Sequence, residues 1–285
     1  MNLSECHPIC VELKERTGAS CLADALELLV ERQIAHLGVD RLPVPLAAVA
    51  ESVGVSRIEY ANIDCDGILA PIDDRSYRMT IAEYAPAPRQ RFSIAHEIGH
   101  ALVHREIPDT RRFSTRSVFL APESQTEERL CDLIASRLLM PTSLATGLCY
   151  GRNLNLATVK ELASRSGASL SAALMRTREL FRHDRVGLIW LRAFPRDEAA
   201  VLDSVAVGVR GTAFRPRVGT IFESPSAPAA AVVSGSLQSD WEWLADRFGR
   251  RRWYIEAEGR PARGREYRMP ALVGPTQFDL VRFAA

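Results

Sequence analysis

Two histidines and a glutamate in the segment 91–104 have the spacing His-Glu-x-x-His, at His96, Glu97 and His100. If this segment is helical, the two imidazoles lie one turn apart on the same face, where a single zinc ion can bind both. Glu97 lies beside them and can accept a proton from a metal-bound water. The spacing therefore predicts a hydrolytic metal centre.

The flanking residues predict that this helix is buried, because apolar side chains cover most of its circumference. They are Phe92, Ile94, Ala95, Ile98, Ala101, Leu102 and Val103. Two imidazoles and a carboxylate within such a helix are costly unless something pairs with them. The alternative is a helix with two hydrogen-bonded core histidines. We favour a bound metal, because a carboxylate-bearing helix is available downstream.

A catalytic zinc ion needs a third protein ligand and one open position. His104 is excluded, because it lies about 12 Å from His96 along a helix axis. We interpret His104 as a residue near the carbonyl end of its helix. For the group that stabilises the oxyanion, Tyr77, Tyr84 and Arg91 are weak candidates.

The third ligand is expected in the segment 124–140, which has a helical pattern and offers Glu127 and Glu128. Helical phase slightly favours Glu127, which lies in the middle of the apolar face. Glu128 is followed one turn later by Asp132, which can accept a hydrogen bond from a ligand histidine. The residues themselves leave the choice between the two glutamates open.

Short elements that precede the metal helix predict an α+β domain. Helical patterns cover 22–36 and 43–53, and strand-like runs follow at 57–60, 67–71 and 77–81. Residues 73–76 are typical of a hairpin turn. The edge of this small sheet can hold an extended peptide by strand addition.

Two motifs resemble the ImmA/IrrE family of metallopeptidases. The first is Arg-x-Arg-Phe-Ser-Ile-Ala-His-Glu-Ile-Gly-His-Ala-Leu at 89–102, and the second runs from Glu128 through Cys131-Asp132 and Ala135 to Leu138-Leu139-Met140-Pro141. Pro43-Val44-Pro45-Leu46 also matches the start of the family's domain. The resemblance covers about residues 22–145.

The resemblance implies a zincin-like fold in which His96, His100 and Glu128 hold Zn²⁺, with Mn²⁺ as the alternative metal. Glu97 would be the catalytic base, and Asp132 would support a ligand from outside the coordination shell. Some family members cleave a helix-turn-helix repressor and release stress-response or mobile-element genes. The radiation-response members carry a helical segment and a GAF-like domain after the peptidase, and this chain has a similar layout.

The segment 146–184 predicts a helix-turn-helix, because Ala163, Gly167 and Ser169 have the spacing of a helix contact, a turn and a cap. One interpretation is DNA binding, with Arg176 and Arg178 as the main positive groups of the second helix. The other, which we favour, is a helical pair that packs on the peptidase.

Residues 185–285 predict a separate α+β domain, which is sensor-like by resemblance only. Strand patterns cover 186–191, 201–209, 254–258, 266–273 and 278–283, and 240–248 is helical. Arginines concentrated between Arg247 and Arg268 suit a nucleic-acid surface, but interspersed glutamates favour a solvated face.

Composition excludes bulk attraction to nucleic acid or membrane, because the net charge is only +1. No targeting signal or bilayer-spanning run is evident, so we expect a cytoplasmic protein with free thiols. The predicted organisation is a tail at 1–21, a metallopeptidase at 22–145, the helical segment at 146–184 and the sensor-like domain at 185–285. The predicted function is cleavage of a repressor. The rival is a non-hydrolytic DNA- or protein-binding regulator with a structural metal.

Overall fold

A computed structural model describes residues 6–73, 76–107, 122–149, 156–181, 187–194, 199–207, 221–223, 253–257 and 267–275. The chain divides into two compact units. One comprises residues 1–148 with 162–169, and the other comprises residues 149–161 with 170–285. The predicted helix at 240–248, the predicted strand at 278–283 and most of the arginine concentration lie outside the described residues.

Helix α1 (Pro8–Thr17) occupies part of the stretch for which the sequence indicated no regular structure. It begins with a proline in its first turn and ends at Gly18, whose φ of +72° suits glycine. Its buried side chains are Ile9, Cys10, Leu13 and Thr17, and it packs on α2 (Leu22–His36). The interpretation of residues 8–17 as a tail was wrong, because these residues form a packed helix. The sequence did not reveal this helix, since its few apolar residues give a weak helical period.

A three-stranded sheet follows the short helix α3 (Leu46–Ser52). Its strands are β1 (Val55–Ala61), β2 (Gly67–Pro71) and β3 (Tyr77–Ala82), in the order β1-β3-β2. β1 is parallel to β3, whereas β2 is antiparallel to it. The three predicted strands are confirmed, and β2 forms an edge of the sheet.

The metal helix α4 (Ala87–Glu106) packs against β2, β3 and the next helix, α5 (Pro122–Leu139). Alternate residues of β3, namely Tyr77, Met79 and Ile81, are buried. Gly99 lets α4 approach α5 closely, because a Cβ at this position would lie 3.1 Å from the Cα of Cys131. This approach brings the two histidines of α4 near the carboxylates of α5.

Three further helices are α6 (Thr142–Cys149), α7 (Leu156–Ser166) and α8 (Leu170–Leu180). The turn between α7 and α8 contains Gly167, whose φ of +67° lies in the left-handed region. Two of the predicted helices and the turn between them are therefore present, and the helix-turn-helix remains a prediction.

The second unit contains a five-stranded antiparallel sheet. Its strands are β4 (Gly187–Phe194), β5 (Ala199–Val207), β6 (Ile221–Glu223), β7 (Trp253–Ala257) and β8 (Tyr267–Pro275). Their order is β6-β5-β4-β8-β7. Four of them were predicted, and β6 was missed because three residues show no usable alternation.

Two general expectations can be compared with the described part of the chain. All six cysteines lie within it, and no disulfide bond joins any two of them. None of its helices combines the length and the apolar character that crossing a membrane requires.

Candidate metal centre

Three side chains from α4 and α5 converge on one point. The Nε2 atom of His96 lies 3.2 Å from Oε2 of Glu128, and Nε2 of His100 lies 3.5 Å from Oε1 of the same carboxylate. One ligand atom from each of these residues lies within 4.8 Å of the other two. Both imidazoles thus present the same nitrogen to the same carboxylate.

The Nδ1 atoms of the two histidines are occupied by other carboxylates. His96 Nδ1 lies 3.0 Å from Oδ1 of Asp132, and His100 Nδ1 lies 2.8 Å from Oε1 of Glu127. An ionised carboxylate can only accept a hydrogen bond, so each Nδ1 is a donor. When the imidazoles are neutral, the lone pairs are therefore on the Nε2 atoms, which face Glu128.

This donor set fits a zinc ion. Two imidazole nitrogens and one carboxylate oxygen are ligands that catalytic zinc takes, and carboxylate–histidine contacts commonly fix the tautomer of zinc ligands. Within the described residues, the group of His96, His100 and Glu128 offers three donors. A tetrahedral ion bound by these three would keep one position for water.

Glu127 is buried behind His100 and also bonds His104. Its Oε1 atom lies 3.0 Å from Nε2 of His104, whose side chain is 3% exposed. The helical phase correctly assigned Glu127 to a buried face. His104, interpreted from sequence as a residue near the helix carbonyls, does lie in the last turn of α4, but its partner is this carboxylate.

His100, His104 and Glu127 form a second group that could hold a metal. The short contacts of Glu127 with both histidines favour a hydrogen-bonded support for His100 instead. Its environment is also more closed, since Glu127 is 6% exposed and His104 is 2% exposed. We therefore assign the group around Glu128 as the candidate metal centre.

The charge of the carboxylates controls the protonation of the histidines. Burial alone would lower the pKa of His96, but its bonds to Asp132 and Glu128 outweigh burial and raise this pKa to about 9. Burial likewise opposes ionisation of Glu127, yet its bonds to His100 and His104 lower its pKa to about 2. The metal-free site therefore holds protons where a metal would bind.

We expect zinc binding near neutral pH to release protons, because the pKa of His96 is raised to about 9 and that of His100 is also raised. Zinc affinity should rise as the pH increases towards 9 and fall below neutrality. Calorimetric titration in buffers of different ionisation enthalpy measures the released protons. A binding heat that is independent of the buffer would contradict this expectation.

Glu97 is the fourth carboxylate of the site, besides Glu127, Glu128 and Asp132. It is 7% exposed, and it does not belong to the group of ligand atoms. Burial raises its pKa, and the positive charges of His100 and His96 partly oppose this shift. A buried carboxylate of raised pKa beside a metal site is suited to accept and return a proton.

Tyr77, Tyr84 and Arg91, the weak candidates for stabilising the oxyanion, lie in different environments. Tyr84 is 81% exposed, and Arg91 donates from Nη2 to the carbonyl of Val44 at 3.1 Å. Tyr77 is buried, with its ring centroid 6.2 Å from that of His104. None of these contacts assigns the oxyanion role.

Sequence reasoning missed an ion pair beside the site, formed by Asp66 and Arg89. Arg89 Nε lies 2.9 Å from Oδ1 of Asp66, and a second guanidinium nitrogen bonds Oδ2. The hydrogen bond from Arg89 lowers the pKa of Asp66. This pair joins the start of β2 to the first turns of α4, and two residues so far apart in sequence carry no motif.

The second helix of the helix-turn-helix does not offer the arginines on which a DNA-binding role was based. Arg176 is fully buried and Arg178 is 3% exposed. Arg176 contacts Glu179 at 3.2 Å. As a positive surface for phosphate contacts, these two residues were the wrong choice.

Substitution of Glu127 by glutamine should weaken zinc binding by about 10- to 100-fold, the usual effect of removing an outer-shell partner. Glutamine keeps the size of the side chain but loses the charge that orients His100. Competition with a chromophoric chelator measures the affinity, and Glu51→Gln on an exposed face of α3 is the matched control. Equal affinity in both variants would remove Glu127 from the site.

Part of this chain is similar to known proteins. Residues 49–178 match the family model described as the IrrE N-terminal-like domain. The radiation response metalloprotease IrrE of Deinococcus radiodurans is 25% identical, and the match covers 67% of this chain. It covers 62% of that relative, so this chain spans less than two thirds of the relative's length.

A solved structure, that of a Mycobacterium tuberculosis transcriptional regulator, has a similar fold. The TM-score is 0.51 and the identity is 15%, with 94% of this chain and 79% of that chain covered. At this identity the likeness concerns the fold alone. The matched domain and the similarity to the Deinococcus metalloprotease support membership of the ImmA/IrrE family, and the family model covers residues 49–178 of this chain.

Proposed function

We propose that this protein is a zinc-dependent endopeptidase that cleaves a helix-turn-helix transcriptional repressor. The observation that carries the proposal is the division of roles among four carboxylates. Glu128 faces both Nε2 atoms, Asp132 and Glu127 hold the two Nδ1 atoms, and Glu97 is buried outside the group of ligand atoms. A purely structural metal site does not require the carboxylate of Glu97.

His96, His100 and Glu128 would hold the zinc ion. The bound ion would supply Lewis acidity, which polarises a peptide carbonyl and makes a water easier to deprotonate. Glu97 accepts the proton of the attacking water and returns it to the leaving amine. Asp132 and Glu127 keep the two imidazoles in the tautomer and orientation that the ligands need.

The edge strand β2 supports a peptide as the substrate. An extended segment can add to this edge by main-chain hydrogen bonds, which give affinity with little dependence on sequence. The first residue of β2, Gly67, lies against the side chain of Glu97. A peptide paired with β2 would therefore run beside the proposed base.

The choice of a repressor as substrate follows from the resemblance to antirepressor proteases, and cleavage would release stress-response or mobile-element genes. Such a target implies a cytoplasmic reaction. We also propose that residues 185–285 form a GAF-like domain that senses the activating signal. The five-stranded antiparallel sheet of the second unit supports this assignment.

A non-hydrolytic DNA- or protein-binding regulator is the second candidate, favoured by the two helices α7 and α8 with a turn at Gly167 between them. The burial of Arg176 and Arg178 weighs against DNA contact through α8. This candidate requires a closed metal site with four protein ligands.

The test compares new protein N-termini in cells that express the wild type or Glu97→Gln under stress. We expect one or a few new termini within a helix-turn-helix repressor, absent from cells with the variant. Equal sets of termini, with metal bound in both proteins, would overturn the protease and favour the regulator.

A further inference from the structure

The backbone conformation of Gly67 does not require a glycine. In the described residues, glycines with positive φ are Gly18, Gly38, Gly54 and Gly167, and Gly67 is not among them. It is the first residue of β2 and pairs with Ile81 of β3 in regular antiparallel register. A residue with a side chain could adopt this backbone conformation, so the reason for glycine must be the space around it.

The space that a side chain would need at position 67 is occupied by Glu97. A Cβ placed there would lie 2.7 Å from Oε1 of Glu97, 3.1 Å from its Cγ and 3.3 Å from its Cδ. These three atoms are the nearest neighbours of that position. The first distance is shorter than real Cβ contacts, so one of the two groups would have to move.

The carboxylate of Glu97 is the group that would move. It lies at the end of a flexible side chain, whereas Gly67 is held by pairing with Ile81. The ion pair between Asp66 and Arg89 adds a link between the start of β2 and α4. Because Glu97 is 7% exposed, it cannot simply turn into solvent.

We propose that Gly67 is a positioning residue for Glu97, because its missing side chain leaves the space in which the carboxylate is held beside the metal centre. Because position 67 has no side chain, the carboxylate of Glu97 can lie close to the edge strand β2. This inference rests on the proposed function, in which Glu97 is the base. It extends that function by naming the residue of the substrate-binding edge that determines where the base lies.

The contact is tested first by a thermal-unfolding cycle on the metal-free protein, which needs no substrate. In a Glu97→Ala background, Gly67→Ala should raise Tm by about 2 °C, as a compatible glycine-to-alanine change does. In the wild-type background the same change should lower Tm, because the buried carboxylate must move. Equal shifts in the two backgrounds would overturn the proposal.

The matched control is Gly147→Ala. Gly147 lies on an exposed face of α6, and a Cβ there meets no atom within 4 Å. It should raise Tm in both backgrounds alike. A coupling with Glu97 that is seen at position 67 and not at position 147 supports the steric relationship.

The positioning role is tested by repressor cleavage and zinc affinity. Gly67→Ala should lower kcat at least tenfold while KM and zinc affinity stay within twofold of the wild type. Gly147→Ala should behave as the wild type. Full activity of Gly67→Ala despite a positive melting cycle would overturn the role, since the carboxylate would have moved without effect.

Failure of the protease function and failure of the positioning role would give different experimental results. If the wild type cleaves nothing, the protease proposal fails and the positioning role fails with it. The melting cycle would still report whether Gly67 and Glu97 compete for space.

Discussion

Replacing Glu128 by alanine should lower the zinc affinity by more than about 100-fold, beyond the range for an outer-shell partner. Glu128 is the one described carboxylate that faces Nε2 of both His96 and His100. Its side chain is 58% exposed, so its removal leaves no buried cavity and the fold should persist. Chelator competition and elemental analysis of the purified protein measure the loss.

Glu127→Ala provides the informative comparison, because it removes the neighbouring carboxylate from the same helix. If Glu128 is the ligand, Glu127→Ala retains measurable zinc binding while Glu128→Ala does not. The reverse result would transfer the ligand role to Glu127 and to the group with His100 and His104. Circular dichroism of both variants confirms that each is folded.

Replacing Glu97 by glutamine should reduce repressor cleavage by about 10²- to 10⁴-fold, the usual contribution of a general base. Glutamine occupies nearly the same space beside Gly67 but cannot accept the proton. The zinc affinity should remain within twofold, because Glu97 lies outside the group of three ligand atoms. Single-turnover cleavage of the purified repressor measures the chemical step.

The matched control for this variant is Glu51→Gln, which makes the same chemical change on an exposed face of α3. It should cleave at the wild-type rate. Wild-type cleavage by Glu97→Gln itself would show that another group takes the proton. Loss of zinc from Glu97→Gln would instead show that Glu97 contributes to the metal site.

Much of the candidate site follows from local sequence. The spacing of His96 and His100 fixes their common helix face, and Asp132 lies one turn after Glu128 in any helix. Such relations depend on helical geometry, which a sequence shows directly. The three strands before α4 were equally visible, because their runs of strand-forming residues are bounded by turn residues.

The choice between Glu127 and Glu128 depends on how α4 and α5 pack, and no local pattern contains that information. Helical phase identified the buried glutamate, and the buried one proved to be the support for His100. The close approach of the helices at Gly99, opposite Cys131, sets which carboxylate reaches the Nε2 atoms. The resemblance to a family had selected Glu128 where residue properties could not.

Long-range contacts account for what the sequence did not predict. Asp66 and Arg89, and likewise Gly67 and Glu97, are brought together by the packing of β2 on α4. Arg176 and Arg178 look like surface residues by type, yet both are buried. A charged side chain can be buried when its environment provides partners, and sequence alone does not reveal them.

In the proposed site, three protein ligands hold a zinc ion and one coordination position is open. X-ray absorption spectroscopy at the zinc edge of the loaded protein tests this coordination most directly. We predict two imidazole nitrogens and two oxygens at about 2.0–2.2 Å, with one oxygen from Glu128 and one from water. A sulfur ligand at about 2.3 Å, from the nearby Cys131, or a fourth protein ligand in place of water would contradict the account.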